Sequence, residues 1–218
     1  MQIKEHIISN IPVFKLDEPL EKLVQFFMES TFSHVAIVEE NKFLGVFNEN
    51  DLEGFEVDKK IGDYRYNFES FFVRKETSWL DVLAAFARNE ANLLPVLGDK
   101  DDVLGYYNLT DIVSIFIDTP FFAEPGGIIV IAKSIKDYSF SEIVQIVESN
   151  NCKFIGGFIS EMRDEVVQVT IKISNTNLNE VVQTFRRYNY NILSGNIEDQ
   201  FIEDLKKRSD YLDKYLNV

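Results

Sequence analysis

The sequence predicts a mixed α/β (α+β) fold in two parts: a tandem pair of β-α-β-β-α repeats, followed by a separate βαββαβ domain. Three observations predict it. Residues 11–52 align with residues 70–112 at an offset of 59, which becomes 60 after one extra residue in the second hairpin. Both copies carry an apolar stripe at helical spacing followed by two short apolar runs separated by a polar turn. After Phe116 this pattern stops, and a different alternation of strand and helix periods takes over.

In the first copy Leu20, Leu23, Val24 and Phe27 fall at i, i+3, i+4, i+7, and in the second Trp79, Val82, Leu83 and Phe86 repeat the spacing. Each set is one face of a helix. Asp17 and Thr77 stand just ahead as expected N-caps. The helices lead into apolar runs at 35–38 and 93–97, then polar turns at 39–42 and 98–102, then second strands at 43–47 and 103–107. A closing helix starts most clearly at Thr110 and Asp111, with Ile112, Ile115 and Phe116 behind it.

Residues 118–127 hold two prolines and two glycines, which disfavour regular structure, so a linker is expected at 119–127. Beyond it, 128–131 reads as a buried strand, and Phe140, Ile143, Val144 and Val147 as a helical stripe. Ser139 with Glu142 forms the spacing of a capping box. A strand follows at 154–159. Val167, Val169, Ile171 and Ile173 then alternate with Gln168, Thr170, Lys172 and Ser174, the period of a strand with one wet face. Leu178, Val181, Val182 and Phe185 give a second helical stripe, 191–197 a last strand, and 201–216 a terminal helix suited to packing on a partner chain. The order βαββαβ is the ferredoxin-like arrangement.

The chain has a net charge of −14. Residues 1–120 hold 11 Lys/Arg against 22 Asp/Glu, and residues 121–218 hold 11 against 14. Neither half has a basic stripe, so nucleic acid and an anionic membrane surface are both disfavoured as partners. No apolar run approaches the 18 or so residues of a membrane span, and acidic residues and Pro12 interrupt any signal-peptide core, so a cytoplasmic location is expected. A lone Cys152 and only two histidines, His6 and His34, leave no disulfide and no zinc-ligand spacing. No nucleophile–base–orienter set, P-loop or dinucleotide glycine fingerprint occurs, so an enzyme is the least supported class.

Leu44-Gly45-Val46-Phe47-Asn48-Glu49-Asn50-Asp51 and Leu104-Gly105-Tyr106-Tyr107-Asn108-Leu109-Thr110-Asp111 share a pattern of hydrophobic, Gly, two hydrophobics and a terminal Asp. With Leu94-Pro95-Val96 on the preceding strand, this pattern resembles the CBS domain family. The resemblance implies a tandem CBS pair (a Bateman module) over 1–118, with repeats at about 1–60 and 61–118. The domain at 128–218 then resembles the ACT domain of acetoin-utilisation-type CBS–ACT proteins.

The family resemblance further implies a nucleotide cleft walled by the Gly-containing strand and the helix after it, the terminal Asp accepting ribose hydroxyls. Carried onto this chain, the nucleotide-binding residues are Gly105, Tyr106, Asn108, Asp111 and Pro95, with Gly45, Asn48 and Asp51 in the first copy. An ionised carboxylate near a helix N-terminus is stabilised there and accepts two O–H donors. The alternative for each Asp is a plain N-cap. The chain departs from the family where Thr or Ser commonly reaches phosphate, since both copies have Asn (Asn48, Asn108). An amide donates a hydrogen bond from a different position.

Candidate cations for a phosphate are Arg65, Arg74, Lys75 and Arg88, and an acidic domain favours AMP over ATP. His34 at the head of a strand is expected as a half-buried histidine satisfied by backbone. Tyr106 and Tyr107 could stack on a base, but packing is favoured. The resulting expectation is a non-catalytic sensor, dimeric by family resemblance, that binds an adenosine nucleotide and no metal cofactor. Two alternatives stand beside it: a protein-interaction module with degenerate clefts, and an amino-acid sensor acting through the ACT-like half. The turn at 136–141 lacks the glycine that such ACT sites typically use.

Overall fold

The computed structural model describes residues 3–52, 55–56, 58–174 and 177–195. The chain divides into two compact units, Met1–Phe116 and Ile117–Val218. The expected terminal helix at 201–216 lies outside the described residues.

In the first unit, β1 (Phe14–Lys15), α1 (Leu20–Glu29), β2 (His34–Glu39) and β3 (Lys42–Asn48) make the first repeat, closed by a 3-10 turn at Glu49–Leu52. The second consists of β4 (Val73–Arg74), α2 (Trp79–Arg88), β5 (Leu93–Leu97), β6 (Val103–Asn108) and α3 (Leu109–Ile117). The two sheets are copies in register: Phe14 pairs with Ile37 as Val73 pairs with Val96, and Ile37 faces Gly45 as Val96 faces Gly105. Both antiparallel ladders shift at the next residue, between Ile37 and Val38 and between Val96 and Leu97.

The helical stripes bury as their spacing requires, with Leu20, Leu23 and Phe27 inside on α1 and Val82 and Phe86 inside on α2. Burying such a side chain stabilises by about 1.5–3 kcal/mol before chain entropy is counted. The expected caps differ. Pro19, not Asp17, precedes α1 and offers no side-chain cap. Ser78, not Thr77, caps α2 by accepting from the Asp81 N–H, while the Thr77 hydroxyl accepts from the Arg74 N–H one turn earlier. Adjacent hydroxyls are indistinguishable by periodicity; only the backbone turn at 74–77 separates them.

The repeats exchange segments. Ile8, ahead of β1, forms an isolated bridge with Tyr106 of β6 through hydrogen bonds of 2.8 and 2.9 Å. Glu69, ahead of the second repeat, pairs with Val46 of β3 at 2.8 and 3.0 Å. The cores interlock accordingly, since Leu93 and Tyr106 belong to the first repeat's cluster and Ile3 and Val46 to the second's. Glycine is required beneath each crossing: a Cβ on Gly45 would lie 2.8 Å from the Glu69 carbonyl oxygen, and one on Gly105, at φ +151°, would strike the Ile8 carbonyl.

The second unit places β7 (Gly127–Ser134), α5 (Phe140–Ser149), β8 (Phe154–Arg163), β9 (Val166–Ile173), α6 (Leu178–Arg187) and β10 (Asn191–Gly195) in a four-stranded sheet of order β10-β7-β9-β8. Every pairing is antiparallel. Counted within the unit the order is 4-1-3-2, the ferredoxin-like arrangement of an ACT-like domain. Ile129, Ile131, Val169 and Ile171 bury one sheet face with Ile143, Val147, Val181 and Phe185 of the two helices. The segment expected to be irregular contains a short helix, α4 (Pro120–Ala123), with Pro120 at its first position where a missing N–H costs nothing. Its Phe121 covers Gly156 of β8, and Lys172 Nζ donates to the Phe122 carbonyl at 3.2 Å.

Candidate functional site

The closing turn of each repeat presents a carboxylate, and the residue three positions before it does the capping. Asn48 Oδ1 accepts from the Asn50 N–H at 3.0 Å, and Asn108 Oδ1 accepts from the Thr110 N–H at 2.8 Å. The cap is therefore the asparagine that stands where a hydroxyl was expected. Asp51 and Asp111, both half-buried, are left over: among the described residues neither carboxylate has a hydrogen bond or ion pair.

Around these two turns the repeats diverge. In the first, Glu69 Oε1 accepts from Asn48 Nδ2 at 3.0 Å and lies 3.4 Å from His34 Nε2. The positions matching His34 and Glu69 by the repeat pairing are Leu93 and Ile8 in the second copy. The first wall is thus polar and acidic, and the second is apolar with a single carboxylate.

His34 is 2% exposed rather than half-buried, and a side chain, not the backbone, satisfies it: Nδ1 is 2.8 Å from Ser33 Oγ. Desolvation is the largest influence and pulls its pKa below the ordinary histidine value, opposed by the Glu69 and Asp51 carboxylates.

The family profile for the CBS domain matches residues 3–55 and 62–118. The chain belongs to the CBS domain family. Solved structures similar to it include a CBS domain pair/ACT domain protein from Thermotoga maritima, 19% identical, with 54% of this chain and 98% of that one covered at a TM-score of 0.49. The CBS domains of a transcriptional regulator from Streptococcus pneumoniae are 13% identical over 52% of this chain and 98% of that one, at 0.47. The CBS domain of a bacterial CNNM/CorC family Mg2+ transporter, in complex with ATP, is 16% identical over 54% and 87%, at 0.45. No curated protein matches the sequence.

Within the CBS pair the expected nucleotide residues fall into two groups. Gly45, Asn48 and Asp51 follow one another along β3 and its turn, with Glu69 and His34 beside them. Gly105, Asn108 and Asp111 do the same on β6 and α3, and Pro95 faces Tyr106 across the ladder. Tyr106 is fully buried and its hydroxyl is committed, donating to the Pro12 carbonyl at 2.8 Å and accepting from the Ala36 N–H at 3.1 Å. Its ring builds the core rather than an open face. Gly45 and Gly105 lie under the crossing strands Glu69 and Ile8, so their shape requirement is met by protein.

Two of the four cations expected near a phosphate are spent elsewhere, while Arg65 and Arg88 lie exposed. Arg74 donates to the Gly98 carbonyl at 2.5 Å and pairs with Asp101 at 2.6 Å, and Lys75 pairs with Asp99 at 2.9 Å. Both hold the β5–β6 turn.

Glu69 is the residue the sequence did not single out. Its signal is the exchange of segments between CBS repeats, a contact that no period within one repeat encodes. A recess of about 400 Å³ opens near the C-terminal end of α2, lined by Leu83, Phe86, Ala87, Ala91, Asn92 and Leu109 among others; neither Asp51 nor Asp111 lines it.

In the ACT-like unit the turn expected to cap itself does so by half. Ser139 Oγ accepts from the Glu142 N–H, but the Glu142 carboxylate turns to Lys133 Nζ and the Tyr190 hydroxyl, each at 2.7 Å. These two partners hold the Glu142 carboxyl below its usual range, and burial together with that carboxylate pushes the Tyr190 phenol up. Among the described residues no group of three or more His, Cys, Asp or Glu could hold a metal ion, and no helix is long and apolar enough to cross a membrane.

Proposed function

We propose that this chain is a non-catalytic cytoplasmic regulatory module that binds an adenosine nucleotide at the wall of its second CBS repeat, with AMP preferred to ATP. The observation that carries this reading is the division of labour between Asn108 and Asp111. Asn108 caps α3, so the Asp111 carboxylate is free at the first turn of a helix to accept a pair of ribose hydroxyls. Ile8, the counterpart of Glu69, gives that side an apolar character suited to a base, with Leu93 buried beneath in place of His34. Arg74 and Lys75, tied to Gly98, Asp101 and Asp99, supply no free charge for a triphosphate, and the half-chain at 11 Lys/Arg against 22 Asp/Glu opposes one.

A homodimer is part of the same proposal, with the ACT-like unit assisting association or carrying the response. The ligand would act through its differential affinity for two arrangements of these parts. The second reading, a protein-interaction module with degenerate clefts, is favoured by one specific observation: the Glu69 carboxylate stands at the first wall.

A thermal-shift series with Asp111→Ala separates them. Under the nucleotide reading AMP raises the Tm of the parent chain and not of the variant, while both melt alike without ligand. An AMP shift that survives the substitution places the site elsewhere.

A further inference from the structure

We propose that His34, Asn48 and Glu69 form a proton-operated latch between the wall of the first repeat and the segment that leads into the second. The inference needs no ligand and does not depend on the nucleotide reading. It begins with the Ser33 hydroxyl, which has one proton to give. With that proton directed to Asn92 Oδ1, 3.1 Å away, the 2.8 Å contact between Ser33 Oγ and His34 Nδ1 has the imidazole as donor. In that arrangement the neutral imidazole carries its proton on Nδ1. Nε2 then carries a bare lone pair, and it is buried without a hydrogen-bond partner.

The group it faces is Glu69 Oε1 at 3.4 Å, a lone pair against a carboxylate, and the same oxygen is held by Asn48 Nδ2 at 3.0 Å. One added proton on Nε2 converts the long contact into a charge-assisted hydrogen bond without disturbing Nδ1. The imidazolium and the Asn48 amide would then compete for one oxygen. Asn48 is also the cap of the Asp51 turn, so the change reaches the wall directly. Glu69 pairs with Val46 of β3 while leading into the second repeat, so the same bond bears on the exchange between repeats.

The charged groups bearing on the imidazole are Glu69 and, more weakly, Asp51; Glu49 begins the same turn but is exposed. Phe71 packs edge-on against the ring at 5.1 Å and keeps water from it. The second repeat has Leu93 at the matching position, so the device belongs to one repeat alone.

The test is a pH titration of the full chain by NMR, following the His34 ring protons and the Asn48 side-chain amide together, in the parent and in Glu69→Gln. The latch predicts that the Asn48 amide moves with the same midpoint as His34, and that Glu69→Gln shifts the His34 midpoint to lower pH because the charge that favours protonation is gone. Glu69 is 42% exposed, and glutamine keeps its size and an acceptor oxygen for Asn48. An Asn48 amide indifferent to the His34 titration, or a His34 midpoint unmoved by Glu69→Gln, overturns the proposal.

Discussion

Ser33 and Asn92 occupy the same position in the two repeats and are hydrogen-bonded to each other. The Ser33 N–H donates to Asn92 Oδ1 at 2.8 Å, and the Asn92 N–H donates to Ser33 Oγ at 3.0 Å. Each carbonyl then accepts from the turn that closes its own repeat, Ser33 from Glu49 at 2.9 Å and Asn92 from Leu109 at 3.0 Å. The approximate twofold relation between repeats is thus a physical contact as well as a sequence pattern, and it lies beside both Asp-bearing turns.

Asn92→Ala removes the acceptor for the Ser33 N–H and the amide that donates to the Thr31 carbonyl at 2.6 Å. Leaving the partly buried Ser33 N–H unpaired costs about 1–3 kcal/mol, while water can replace the exposed bond to Thr31. Urea denaturation should show a lower midpoint at unchanged slope.

Gly105→Ala should destabilise more than Gly45→Ala, although the two glycines match. Both added methyls meet a crossing carbonyl, but only Gly105 has a φ in the region that L residues avoid. Backbone strain of that kind adds about 1–3 kcal/mol, and paired thermal melts of the two variants give the difference.

His34→Leu, which installs the second repeat's residue, should flatten the acid side of the stability profile. A histidine with a lowered folded-state pKa contributes stability that is fully present above its unfolded value of 6.5 and is lost as pH falls through it toward the folded value. Melts between pH 5 and 8 should show the parent weakening on acidification in this window and the variant changing less.

Asn108→Ala deletes a helix cap, so it should cost about 1 kcal/mol of stability. Asp111→Ala should leave the unliganded melt close to the parent's. If instead Asp111→Ala is the more destabilising, the carboxylate is structural.

The repeats, the helical stripes and the second unit's order of elements along the chain were legible because each is written in a local period. Leu20, Leu23 and Phe27 face inward for the reason that Trp79, Val82 and Phe86 are spaced alike. The Ser139 cap was legible and the Glu142 half of its box was not, because Lys133 on β7 and Tyr190, just ahead of β10, claim the carboxylate. The surroundings of His34 were hidden for the same reason: Glu69 arrives through the exchange of segments, and Asn92, which holds the neighbouring Ser33, through the contact between repeats. Asp51 and Asp111 could be read only as carboxylates at helix starts. Deciding whether they cap required seeing Asn48 and Asn108 already doing so.

The central claim is an adenosine ligand at the second CBS wall, and isothermal titration of the full chain with AMP, ADP, ATP, S-adenosylmethionine and NAD tests it most directly. The account predicts heat on AMP binding, weaker binding of ATP, and loss of both in Asp111→Ala. No heat with any of the five would contradict it.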